Sequence, residues 1–336
     1  MTISSIGELR DHLQTAVEIE WSTIPPYLCA RWSINDDPRN AIAARFIDDV
    51  VMEEMLHLTL VCNLLNAVGG EPALIPPKAT PPAYPAYLPH SDDAFQIDLA
   101  PFSRDALETF RLIERPAPTG APPEDDNYET IAQFYEAVMQ GLDLLAGREY
   151  IFTGKPERQV DASYYYGGGG EAVVISGIES ANEALEVIVF EGEGINQSIW
   201  DGDHELLREG RELAHYFRFD ELYRGRSYTG HDTPSSGPTG DPLLIDYSTV
   251  LPMKPNPRAE DYPVGSELRA MTEECNLTYS KLLRQLHAAF NGSPDQLVES
   301  VQTMKTLRYQ AVALMRVPLG EGQTAGPAFE YRVAVG

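Results

Sequence analysis

The chain has 336 residues, with 51 acidic against 25 basic side chains and a formal charge of −26. Such a charge repels nucleic acid and anionic membrane surfaces before contact, so neither is expected as a partner. Cys29, Cys62 and Cys275 fit no metal spacing and are too few for a disulfide framework; with no signal-like start and no apolar run read as bilayer-spanning, the expected location is the cytoplasm.

Ser5 and Glu8 form a capping box that opens a helical pattern of Leu9, Leu13, Ala16 and Glu20. Glu20 therefore falls on the apolar face, where a carboxylate is costly unless it is paired or bound to a cation. Glu18 falls on another side and reads as solvated. Pro25-Pro26 removes two backbone donors and predicts a kink or a restart just after Glu20. A second helix is expected from about Asn40 to Val68, stopped by Gly69-Gly70. Its inward stripe is Phe46, Val50, Glu54, His57, Val61 and Leu64, while Glu53 points elsewhere and reads as a surface charge.

From Glu71 to about Asn127 the chain is proline-rich and reads as mostly irregular, with a short helical piece between Phe102 and Ile113. Tyr128 to Leu145 reads as helix. Tyr164-Tyr-Tyr-Gly-Gly-Gly-Gly170 lacks the Gly-Lys-Ser/Thr ending of a phosphate loop and suits a linker or a lid. A third helix starts near Ile178 and ends at Phe190-Glu-Gly-Glu-Gly194, with Glu191 and Glu193 both at the margin of its apolar arc. A fourth is expected from an N-cap at Asp201 through Glu212, His215, Phe219 and Leu222. After a Gly/Pro/Ser-rich stretch to about Pro263, two more helices, Ser266–Phe290 and Pro294–Met315, carry no metal motif and suit packing or a subunit contact, as in a homodimer.

Glu54/His57 and Glu212/His215 are two Glu-x-x-His pairs, and residues three apart on a helix share a face. Either pair alone is more simply read as ordinary core or surface residues. Together with Glu20 and a third-helix glutamate, they supply the ligand order of four-helix bundles that hold two metal ions. Four carboxylates and two imidazoles suit two iron ions first and manganese second, and four glutamates would neutralise two dications. His12, His90, His204, His231 and His287 have no partner at ligand spacing.

The segments Glu18–Leu28, Glu53–His57, Val189–Gly194 and Glu212–Phe219 resemble the ferritin-like domain of iminophenyl-pyruvate dimer synthases and of related stand-alone bacterial proteins. The resemblance implies an all-α ferritin-like four-helix bundle with a metal site. It favours Glu193 over Glu191, because the family carries Gly-Glu-Gly at the end of the third helix. The expected metal set is Glu20, Glu54, His57, Glu193, Glu212 and His215. The expected layout is a bundle over 1–225 with an insertion at about 71–177, a linker over 226–263, and a C-terminal helical extension over 264–336 packed on the bundle. The dimer-synthase reaction is not implied, since those enzymes are larger. The expected activity is oxidation of a small organic substrate with dioxygen, with Trp21 and Tyr216 beside the ligands as packing or electron-passing aromatics. The other reading is a metal-binding protein that handles iron and peroxide or serves as a partner subunit.

Overall fold

The computed structural model describes residues 3–35, 37–192, 198–200 and 212–333. Among these, eight α-helices carry the fold: α1 (Ile6–Ser33), α2 (Ala41–Ala67), α3 (Arg104–Ile113), α4 (Ile131–Ala146), α5 (Ile178–Gly192), α6 (His215–Arg224), α7 (Glu267–Ala289) and α8 (Asp295–Leu314). The described sheet is a two-stranded antiparallel ribbon near the C-terminus, Pro318–Gly320 with Gln323–Thr324.

The predicted capping box starts α1: Ser5 Oγ accepts from the Glu8 amide at 3.2 Å, and Glu8 Oε2 accepts from the Ser5 amide at 3.1 Å. Of the predicted kink or restart at Pro25-Pro26, the restart does not occur: α1 runs through both prolines as one helix. Pro26 cannot donate to the Ser22 carbonyl, which instead accepts from the Tyr84 hydroxyl at 2.7 Å. A side chain of the proline-rich segment thus replaces a lost ladder bond. Tyr84→Phe leaves that buried carbonyl unpaired, and the expected loss is about 1–3 kcal/mol of stability, read from urea unfolding.

Helix α2 lies antiparallel to α1, as the pairs Arg10 with Val68, Thr23 with Glu54 and Arg31 with Asp48 show. Gly69, at φ +76°, ends it in the left-handed region that glycine adopts without strain. By length and hydropathy the stretch Pro38–Ala67 qualifies as a membrane span, contrary to the reading from sequence, but 89% of its apolar window is buried inside the fold. It is the core helix here.

The two long helices fill two corners of a bundle, and each remaining corner is filled by two short helices in succession. Along the first half of α1, α4 packs against α1 and α5 packs against α4 and α2; along the second half, α3 packs against α1 and α6 against α3 and α2. Tyr27, Phe110 and Phe219 tie α1, α3 and α6 together, with ring centroids 4.6–5.3 Å apart. The helices of the 71–177 segment are therefore walls of the bundle. The tetraglycine segment packs on α2: at Gly169, with φ +78°, an added Cβ would stand 2.7 Å from the Met52 carbonyl oxygen. The α7–α8 hairpin covers the other side of α1 and α2, where Trp21 Nε1 donates to Tyr279 Oη at 3.0 Å and Asn66 Nδ2 to the Phe290 carbonyl at 2.7 Å. Its buried side chains continue the same apolar core.

Candidate metal centre

The gap between the two half-length pairs is where the polar side chains converge. Glu20 and Glu54/His57 come from the middles of α1 and α2, Glu114 from the C-cap of α3, Glu191 from the last turn of α5 and His215 from the first residue of α6. These six and Glu53 are between 0 and 7% exposed. Buried carboxylates at such density are stable only with counter-charge or protons.

Two three-residue groups stand out. Glu20, Glu54 and His57 each present one ligand atom within 4.8 Å of the others, and so do Glu54, Glu114 and His215. The groups share Glu54. His215 Nδ1 lies 3.0 Å from Glu54 Oε1 and 3.6 Å from Glu114 Oε2, yet it is buried without a hydrogen-bond partner. A buried nitrogen aimed between two carboxylates without a hydrogen bond fits a cation better than a proton network. A cavity of about 20 Å³, lined in part by Glu20, Glu54, His57, Glu114 and Tyr135, lies between them. The donor set therefore fits two divalent ions.

Each half has the same supports. The outer nitrogen of His57, Nε2, donates to Glu191 Oε2 at 2.8 Å, and that of His215 donates to Glu53 Oε2 at 2.7 Å. Such carboxylates fix the ring and leave the inner nitrogen free to bind metal. Tyr135 Oη donates to Glu20 and Tyr27 Oη to Glu114, while Thr23 Oγ1 donates to the shared Glu54 at 2.9 Å. The two imidazole rings stack, with centroids 5.4 Å apart. Arg218 Nη1, 2.9 Å from Glu53, anchors one outer carboxylate.

Without metal the cluster holds protons. Burial, with Glu114 and Glu20 adding repulsion, pushes Glu54 up to about 8. Burial also raises Glu191. For His57, burial alone would favour the neutral ring, but hydrogen bonds to Glu191 and Glu20 override it and hold the pKa at about 10. His215 is raised well above its usual range, because Glu114, Glu53 and Glu54 outweigh its burial. Glu53 goes the other way: burial opposes ionisation, but Arg218 and His215 hold it at about 2.

Of the residues expected from sequence, the structure brings together Glu20, Glu54, His57 and His215. Glu193 lies outside the described residues. Glu212 is not in the cluster: it precedes α6 on a non-helical stretch, so it shares no helical face with His215, and its Oε2 is 3.4 Å from Arg218 Nη2. Glu114 stands in the second group instead. It was missed, although it continues the Leu107–Phe110 stripe of α3 at helical spacing, the same signal that marked Glu20. Glu191 carries the contact to His57. Glu53, read as a surface charge, is buried. Trp21 faces α7, and Tyr216 pairs with Arg111 at 3.4 Å. Glu53→Gln keeps the shape but removes the charge that orients His215, and the expected result is about a 10–100-fold weaker hold on metal in competition with a chelator.

Residues 13–224 match the ferritin-like family, a span that includes both ligand groups. Dichlorochromopyrrolate synthase of Lentzea aerocolonigenes is 25% identical over 84% of this chain and 29% of its own length. The chain thus spans less than a third of that curated relative. The crystal structure of a ferritin like protein from Caulobacter vibrioides shares the fold with a TM-score of 0.67 at 23% identity, over 99% of this chain and 100% of that one. Fold, ligand groups and the motif resemblance agree: the chain belongs to the ferritin-like family.

Proposed function

We propose that the chain is a di-iron oxidoreductase, with manganese as the alternative metal, that uses dioxygen to act on a small organic molecule in the cytoplasm. The observation that carries this reading is the pair of ligand groups joined at Glu54. Glu20, Glu54 and His57 would hold one ion and Glu54, Glu114 and His215 the other. Glu191 and Glu53 orient the two imidazoles, and Tyr135 and Tyr27 hold the terminal carboxylates. Held there, two such ions would supply redox chemistry with dioxygen, which suits oxidation of an organic substrate. The burial of all seven acidic and imidazole groups excludes bulk water from that chemistry. The 25% identical relative is a synthase, which supports an enzymatic role. The α7–α8 hairpin is a candidate homodimer contact.

The test is metal analysis of iron-grown protein, with optical spectra before and after the reduced form meets air. About two ions per chain and an absorption change on exposure to air support the proposal; less than about a tenth of an ion overturns it. One observation favours the second reading, a metal-handling protein without organic substrate: the cavity at the centre, about 20 Å³, is too small for an organic molecule. Dioxygen uptake that depends on an added organic compound would decide for the enzyme. Uptake that tracks added ferrous iron alone would decide for the metal handler.

A further inference from the structure

We propose that a cleft between the end of α1 and the last three turns of α8 binds a small organic anion that carries a planar ring. The cleft has a volume of about 520 Å³, inside the range of roughly 300–1,000 Å³ common for small-molecule sites. Arg31 enters it from α1, and Lys305, Arg308 and Arg316 from α8 and its end. No acidic side chain lines it among the described residues.

That segregation is unusual in a chain where acids outnumber bases 51 to 25. The acids of α8, Asp295 and Glu299, belong to its first turns, and none follows between Ser300 and Gly320. Lys305, Arg308 and Arg316 make no ion pair or side-chain hydrogen bond among the described residues. Arg31 does, with Nε 2.8 Å from Asp48 Oδ2.

A structural explanation exists for half of these charges. Cations near helix C-termini offset the helix dipole, which accounts for Arg31 in the last turn of α1 and Arg316 just beyond α8. Lys305 and Arg308 lie too far from the end of α8 for that role. Their placement brings like charges together with nothing of opposite sign, an arrangement that costs stability until an anion enters. A guanidinium recognises carboxylate or phosphate oxygens in pairs.

The ring requirement comes from Tyr309, one helical turn after Lys305 on the same stripe. It is 84% exposed at the cleft. Trp32, on the opposite wall, is buried and braced by Phe329 at 6.2 Å between centroids, so it forms a fixed apolar floor. Cations on two walls over an apolar floor suit a molecule with a charged end and a flat end.

Calorimetric titration of the whole chain with phenyl phosphate tests this. The expected result is saturable binding, at least about tenfold tighter than inorganic phosphate, an affinity step of about 1.4 kcal/mol. The double variant Lys305→Ala/Arg308→Ala should bind phenyl phosphate at least about tenfold more weakly. Tyr309→Ala should weaken phenyl phosphate and leave inorganic phosphate unchanged. Lys281→Ala, an exposed cation on α7, should change nothing. These side chains are exposed, so melting points no lower than the parent's are expected, slightly higher for the double variant, and separate lost binding from lost folding. Absence of saturable binding, or an equal loss in Lys281→Ala, overturns the site. So does a dimer in sedimentation that Arg308→Glu dissociates, which would assign the cleft to a second copy of the chain.

Discussion

Glu54→Gln is expected to remove both metal ions at once, whereas Glu20→Gln and Glu114→Gln each remove one. The reason is that Glu54 alone belongs to both ligand groups. An amide keeps the volume and the contact to Thr23 but is a weak ligand for a hard cation. Glu212→Gln, by contrast, should retain both ions, because its carboxylate is turned to Arg218. Mass-spectrometric metal content after desalting reads all four variants. Full loss in Glu212→Gln with full retention in Glu114→Gln would overturn the grouping and restore the ligand set read from sequence. The same substitution has an opposite sign without metal. The raised Glu54 pKa of about 8 means that the folded, metal-free chain resists ionising this group. Its contribution to stability is complete below the unfolded value near 4.5 and is lost as pH rises through about 8. At pH 9 the neutral glutamine should therefore stabilise the metal-free protein, on the order of 1 kcal/mol or more, while lowering the melting point of the metal-loaded protein. A fall in both would mean that Glu54 is simply structural.

The parts of this centre that sequence places on the right face for the right reason are those in the middles of long helices. Glu20, Glu54 and His57 lie far from any helix end, where the 3.6-residue period fixes which side chains share a face. At helix termini the period is a weaker guide: it marks His215 only through a spacing to Glu212 that no helix supports, and it reaches Glu114 only at the C-cap of α3. Spacing to Glu212 consequently misled: three residues apart means one face only if the segment is helical. Glu53 failed for another reason. Arg45 and Asp48 keep a solvent face on the first half of α2, but that face closes before Glu53, which His215 and Arg218 from α6 cover; no local pattern records that contact. The division of two bundle corners into α4 with α3 and α5 with α6 rests on packing between segments far apart in the chain, which no local pattern records. The continuous α1 is similar: the carbonyl that Pro26 leaves without a ladder partner is satisfied by Tyr84, 62 residues away.

Loading the metal-free protein with two divalent ions at pH 7 is expected to release about three protons per chain. His57, at about 10, and His215, well above its usual range, are both protonated there, and Glu54, at about 8, holds a third. A metal takes the nitrogen lone pair and the charged carboxylate, so all three protons must leave. Glu53 contributes none, because Arg218 and His215 already hold it ionised at about 2. Apparent affinity should therefore rise steeply between about pH 6 and 8, as these protons become easier to remove. The stability of the metal-free chain should move the opposite way. The His57 contribution is complete below about 6.5 and lost as pH rises through about 10, since Glu191 and Glu20 stabilise only the charged ring. Titration calorimetry in buffers of unlike ionisation enthalpy counts the protons directly. Release of fewer than about one would show that the imidazoles are not ligands, because both must shed a proton to bind. Glu191→Gln supplies the internal control. It removes the hydrogen bond that most strongly raises His57, so the ring should be neutral over more of the neutral range. The count should then fall toward two, and the remaining release should still require His215.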